Sequence, residues 1–389
     1  MTYDFETPAS RAGNGNMKGG MGQGLPAGAV LLSGAEMDYP TAPCIRRAAA
    51  EFAQNGLYGF TLPDDAYRHS IVAWARMARN WTITPDLIVP TMGTIFGLST
   101  AVRAFTDPGD AVIIQHPSYY RFDRAVVRNG RRVISNPMRE EKGVYSIDFE
   151  DLEAGIRMND VKLMVLCNPH NPTGKVFDRS DLQRIAALAE KYEMIVFSDE
   201  IFAETAQAGH EAVPYASVDP VWGITSTSLG KAFNFTGVNQ ANLIIPGEAL
   251  RARYRAQQDV DHFGSIDPFF YNALRAAYTP EGLDWLRAMN AHTLANYELL
   301  RDALSERMPR LTLSPLEGTF VAWLDCRGLG LSEAELTAFL EQEALLFGDP
   351  GEEYGPGGSG FVRLNIATPR AWIEQVIENL YRAYTAREF

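Results

Sequence analysis

Four short apolar runs, at 111–115, 162–167, 194–198 and 223–227, constrain this chain more than any other feature. They are largely aliphatic or β-branched, without the strict alternation of a strand that has one wet face. Strands buried on both faces read this way. Between and around them lie stretches with apolar residues at helical spacing, notably 45–54, 65–81, 93–105 and 180–192. The third of these ends in the turn Asp107-Pro108-Gly109-Asp110. Alternation of this kind predicts an α/β fold with a mostly parallel sheet covered by helices.

The pattern changes near residue 281. A long helical stretch at 280–306 leads to strand 318–324, helix 332–343 and a Gly-rich segment at 348–360, then strand 361–366 and helix 372–385. This reads as a second, smaller α+β domain. The predicted division is therefore 1–45 (an N-terminal arm and part of the small domain), 46–280 (the large domain) and 281–389 (the C-terminal small domain). Residues 1–28, rich in Gly, Asn and Met, read either as an arm across the surface or a partner subunit, or as a disordered tail.

Composition narrows the function classes. Lys and Arg number 35 against 48 Asp and Glu, a net charge of −13. Nucleic acid and anionic membrane surfaces call for the opposite sign. An anionic cofactor would need a local positive patch. Three scattered cysteines and six histidines without metal-ligand spacing argue against a disulfide framework or a zinc site, and fit a reducing cytoplasm. No apolar run approaches the ~20 residues needed to span a bilayer. Asp4 and Glu6 are unlike the basic start of a signal peptide.

In open parallel sheets, ligands bind beyond the carboxyl ends of the strands. Here those ends carry Asn168-Pro169-His170-Asn171-Pro172-Thr173-Gly174, then Ser198-Asp199-Glu200, then Ser228-Leu229-Gly230-Lys231. An amide, a carboxylate and an amine thus reach one rim. Pyridoxal phosphate needs such a set: a lysine to hold its aldehyde and move the α-proton, a carboxylate to keep the ring nitrogen protonated, and a donor to its phenolic oxygen. Lys231, Asp199 and Asn171 match these needs in turn. Gly93-Thr94 opens a helix whose free N–H groups suit the phosphate, and Ser228 is a further donor.

Taken singly, each residue has an ordinary job. Asp199 can cap a helix, Asn171 can form a turn, Tyr119 can pack, and Thr94 and Ser228 can cap helices. Arg363 can pair with a structural acid, and a lone lysine like Lys231 is usually solvated.

As an ordered set, NPHNPTG, SDE and SxxK resemble the fold-type I pyridoxal-phosphate-dependent enzymes of aminotransferase class I/II, and the likeness runs over nearly the whole chain. It implies a large domain with a mostly parallel seven-stranded sheet and a smaller α+β domain. It also implies that Tyr119 stacks on the cofactor ring and that Arg363 in GFVRLNIATP grips the carboxylate of a small amino-acid substrate. Tyr58 would reach the phosphate of a neighbouring subunit, which makes the active unit a homodimer with sites at its interface.

Within this family, YDFETPASR, EMDYP, NGLYGFT, KAFNFTG and GTFVAWLDCRGLGLS are most similar to the carbon–sulfur lyase branch, which includes cystathionine β-lyase. That resemblance implies elimination from L-cysteine S-conjugates such as cystathionine, yielding thiol, pyruvate and ammonia. Transaminating relatives usually carry an arginine eight residues after the lysine; here Asn239 stands there, as is common in the lyase branch. Three departures lie near the substrate. The WVADMDF-like segment reads Leu32-Ser33-Gly34-Ala35-Glu36-Met37-Asp38-Tyr39, a Lys-Trp-Asp reads Met17-Lys18-Gly19, and Phe202 replaces the usual His or Tyr donor. They keep open an aminotransferase acting on a specialised amino acid. A non-catalytic protein that binds the cofactor is a third reading, disfavoured because lysine and aspartate are both present.

Overall fold

The computed structural model describes residues 3–389. Seven strands build its main sheet: β1 (Ile88–Thr91), β2 (Ala111–His116), β3 (Arg132–Pro137), β4 (Leu163–Cys167), β5 (Ile195–Asp199), β6 (Gly223–Thr227) and β7 (Ala241–Ile244). Their order across the sheet is β1-β7-β6-β5-β4-β2-β3. Strand β7 runs antiparallel to both neighbours, and the remaining pairings are parallel. Strands β2, β4, β5 and β6 are buried along their whole length, as their apolar sequences require.

The four runs legible in the sequence are these four central strands. The other three were not legible, for physical reasons. Strand β3 lies at the edge, with Arg132 and Pro137 exposed. The opposite edge, β1, is interrupted by Pro90, which an edge tolerates. Strand β7 is short and carries the polar Asn242, whose side chain accepts from the Tyr67 hydroxyl at 2.8 Å.

A second sheet holds β8 (Thr312–Leu313), β9 (Val321–Asp325), β10 (Asp349–Pro350) and β11 (Phe361–Asn365), in the order β8-β9-β11-β10. Two readings in this region need correction. Strand β9 starts later than expected, because Thr319 takes a left-handed φ of 73° that breaks extended geometry. The helix expected over 332–343 is regular only for Glu333–Ala338, then widens into a π-turn at Phe339–Glu343. The Gly-rich segment is part of the sheet: Asp349 sits directly opposite Arg363.

The long helix Pro280–Arg307 joins the two parts. Its first half packs Trp285, Leu286 and Met289 against the helices flanking the large sheet, and its second half gives Tyr297, Leu300 and Leu304 to the smaller core. The N-terminal segment is no free tail. Phe5 is buried against Tyr39 and Trp285, a short helix forms at Met17–Met21, and Val30–Leu31 pairs with Leu346–Phe347. No helix among the described residues is long and apolar enough to cross a membrane.

Candidate active site

The loops leaving the strand ends converge on one cavity of about 620 Å³. Strand β1 delivers Gly93 and Thr94, β2 delivers Tyr119, β4 delivers Asn171, β5 ends on Asp199, and β6 leads to Ser228 and Lys231. From the second sheet comes Arg363, on β11. All eight of these sequence-predicted residues line the cavity. Tyr58 does not. It is exposed, its hydroxyl donates to the Ala53 carbonyl at 2.7 Å, and its ring stacks on Phe269.

Asp199 is only 3% exposed, and its carboxylate accepts one hydrogen bond, from the Ile201 N–H at 3.2 Å. Burial pushes its pKa up to about 7. Lys231 lies in the short helix Leu229–Ala232, capped by Ser228, and its Nζ donates to the Ala35 carbonyl at 2.8 Å. Burial, then the nearby Arg363 charge, lowers its pKa to about 8, against the opposing pull of Glu36 and Asp199. A buried carboxyl raised and a buried amine lowered in one cavity mark it as a candidate functional site. The Phe202 ring centroid sits 5.9 Å from the same Nζ and offers no donor.

Arg363 is buried, and its guanidinium is tightly partnered. The Nε and Nη2 edge donates to Asp349, and Nη1 donates to the Asn171 side-chain oxygen at 3.0 Å. Asp349 in turn accepts from the Ser33 hydroxyl and the Gly34 N–H. One edge of the arginine is therefore taken by Asp349, and its Nη1 is held by Asn171. Among the described residues the Asn171 side chain makes no hydrogen bond through its amide nitrogen, so that donor stays available.

Gly93 adopts φ 78°, a backbone region that suits glycine, and caps the helix Thr94–Phe105. The first N–H groups of that helix have no intrahelical partner. The Thr94 hydroxyl pairs with that of Ser226 at 3.0 Å. The Ser228 hydroxyl donates to the Gln240 carbonyl at 2.7 Å and caps its own helix, so in this arrangement it is already committed.

Sequence reasoning missed several lining residues. Asp349 leaves a signal only in hindsight, as an acid that antiparallel register sets opposite Arg363. Ser33 and Glu36 fall in the segment that departs from the lyase pattern. Lys18, in the altered Met17-Lys18-Gly19 stretch, is 4% exposed and pairs with Asp38 at 2.8 Å. Arg121 stood in plain view after Tyr119-Tyr120 and drew no reading.

The model of the family described as aminotransferase class I and II matches residues 27–380. Cystathionine beta-lyase PatB of Bacillus subtilis (strain 168) is 34% identical over 352 residues, spanning 90% of this chain and 91% of its own. Protein MalY of Escherichia coli (strain K12) is 30% identical over 354 residues, with 90% of each chain covered. The crystal structure of cystalysin from Treponema denticola, which contains pyridoxal 5'-phosphate, superimposes with a TM-score of 0.95 at 30% identity over 100% of both chains.

Proposed function

The chain belongs to the aminotransferase class I and II family, and from that premise we propose that it is a pyridoxal-phosphate-dependent carbon–sulfur β-lyase. It would act on L-cysteine S-conjugates such as cystathionine and release thiol, pyruvate and ammonia. One observation carries the cofactor: the amine of Lys231 and the buried, singly bonded carboxylate of Asp199 open into the same cavity. The likeness to cystathionine beta-lyase PatB supports elimination over amino transfer.

The donor set fits the cofactor. Asp199 lacks a cation to pair with, Asn171 has an unused amide N–H, and Gly93 opens a helix N-terminus. Asp199 would hold the proton on the ring nitrogen, Asn171 would donate to the phenolic oxygen, and Tyr119 would cover the ring. The backbone at Gly93 and Thr94 would receive the phosphate, with Ser228 beside it. When bound, pyridoxal phosphate supplies a ring that takes up the charge left on the substrate's Cα. Lys231 would hold the cofactor through Nζ, and the same amine would take the substrate's Cα proton. Arg363 positions the substrate carboxylate at its Nη1/Nη2 end. Residues 46–280 would form the cofactor-binding unit, and the second sheet would bring Arg363 to it. The three cysteines, all free and buried, suit a reducing compartment, and the cytoplasm is the proposed location.

Incubating holoenzyme with L-cystathionine tests this reading. Thiol and pyruvate should appear together with no keto acid present. Product that forms only when a keto acid is added would establish the aminotransferase instead.

The lowered pKa of Lys231 makes a second expectation. Only the neutral amine attacks an aldehyde, so the rate at which apoprotein captures pyridoxal phosphate should climb with pH and level off above about 8. A stopped-flow absorbance series from pH 6 to pH 10 checks it, and a rate still rising past pH 10 would contradict it.

The assembly is proposed as a homodimer. Leu57, Tyr58, Phe60 and Leu62 are all exposed, Phe60 to 99%, and apolar surface gathered this way marks an interface. Phe60→Asp should convert dimer to monomer in light scattering. It should also weaken cofactor retention, because Tyr58 is assigned to the neighbour's phosphate. An unchanged dimer would refute this placement.

A further inference from the structure

Two carboxylates, Glu200 and Glu204, bracket the loop that leaves β5. Between them lie Ile201, whose N–H makes the one hydrogen bond to the Asp199 carboxylate among the described residues, and Phe202, whose ring sits beside Lys231. One helix, Asp65–Arg79, grips both ends of this loop from outside the cavity. Arg79 donates from Nη2 to Glu200 Oε2 at 2.5 Å and to the Ala212 carbonyl at 3.1 Å. Trp74, earlier on the same helix, donates from Nε1 to Glu204 Oε1 at 3.1 Å. The charge of Arg79 also reaches Glu204.

Asp199 and Glu200 are adjacent, buried carboxylates with opposite surroundings. Glu200 is saturated: besides Arg79 it accepts from the Ser198 hydroxyl at 2.8 Å, the Tyr215 N–H at 2.8 Å and the Thr225 hydroxyl at 3.0 Å. Asp199 has a single bond, and one bond does not set the direction of a carboxylate. The backbone on either side must do so. Pairing with Cys167 fixes it on the strand side, and the anchored Glu200 fixes it on the loop side. Successive side chains of a strand point to opposite faces, so holding Glu200 inside the protein turns Asp199 to the cavity. The Arg79–Glu200 pair is 5% and 0% exposed. A buried ion pair is worth little net stability beside apolar side chains of the same size. What this one supplies is direction.

We propose that Arg79 is a positioning residue: through its ion pair with Glu200 it aims the Asp199 carboxylate at the ring nitrogen of the cofactor, touching neither cofactor nor substrate. The proposal rests on the pyridoxal-phosphate reading and is independent of which amino acid is cleaved.

The test compares two cofactors on the apoprotein, pyridoxal phosphate and its 1-deaza analogue, in which C–H replaces the ring nitrogen. Their dissociation constants are read from the quenching of tryptophan fluorescence. Wild type should prefer pyridoxal phosphate by about 10- to 100-fold, the worth of a charge-assisted hydrogen bond. Asp199→Ala should abolish that preference. Arg79→Met should lower it by about 5- to 10-fold. Arg79→Lys, which keeps a charge and loses the fork, should fall between. A merely structural arginine would weaken both cofactors alike, because partial unfolding scales the two affinities equally and cancels from their ratio. Arg79→Met/Glu200→Gln removes the buried pair together, a change that folds tolerate better than a lone buried charge, and should match Arg79→Met. A wild-type ratio in either of these two variants overturns the proposal. So does a further loss in the double variant, which would mean that Arg79 acts apart from Glu200. A preference that persists in Asp199→Ala refutes the assignment of Asp199 to the ring nitrogen, and the proposal with it.

Discussion

Lys231→Ala should lose at least about 10⁴-fold in thiol release, because one change removes both the covalent anchor and the base for the Cα proton. Loss of either role alone would leave more activity. The fold should survive, since Nζ makes a single hydrogen bond, to the Ala35 carbonyl. Soluble, folded protein with pyridoxal phosphate removable by dialysis is the expected phenotype. An added primary amine such as ethylamine should restore part of the proton transfer, which a merely structural lysine would not allow. Near-normal turnover in Lys231→Ala would end the present assignment.

Asp199→Asn should lose about 10²- to 10³-fold in activity and yet stabilise the apoprotein. The stability effect follows from burial. An aspartate whose pKa rises from 3.8 unfolded to about 7 folded costs nothing below the lower value, where both states are protonated. The cost grows as pH rises, and is complete above the folded value, on the order of 4 kcal/mol. More than half of it arises between pH 5 and pH 7.5. Wild-type apoprotein should therefore lose stability across that window in urea titrations, and Asp199→Asn should lose much less. The window stops short of pH 8, where the lowered pKa of Lys231 begins to act with the opposite sign. Parallel pH dependence in the two proteins would mean that the carboxylate is not burdened as the geometry implies. Variants with stable folds and lost activity are the expected trade at a site of this kind.

Both predictions concern residues that were legible in the sequence, and the reason is geometric. Lys231, Asp199 and Asn171 sit at or just past the ends of fully buried strands whose apolar runs announce themselves, so chain order alone places them on one rim. The residues that escaped reading depend on long-range pairing. Asp349 matters because β10 lies beside β11, a neighbour relation that only the fold reveals. Ser33 matters because its hydroxyl meets Asp349, 316 positions away. The edge strands β1 and β3 escaped for a related reason: exposed residues and Pro90 dilute the apolar pattern that identified the central ones.

Arg363 shows how the two levels meet. The resemblance implied a fork free to grip a carboxylate. The fold engages one edge of that fork with Asp349 and steadies its Nη1 with Asn171. Asp349 therefore orients the arginine.

Borohydride reduction of the coloured holoenzyme, followed by digestion and peptide mass mapping, tests the central claim most directly. The visible band should vanish and the reduced pyridoxyl mass should appear on the peptide carrying Ser228-Leu229-Gly230-Lys231. A label on any other lysine, or colour that persists with no mass shift, would contradict it.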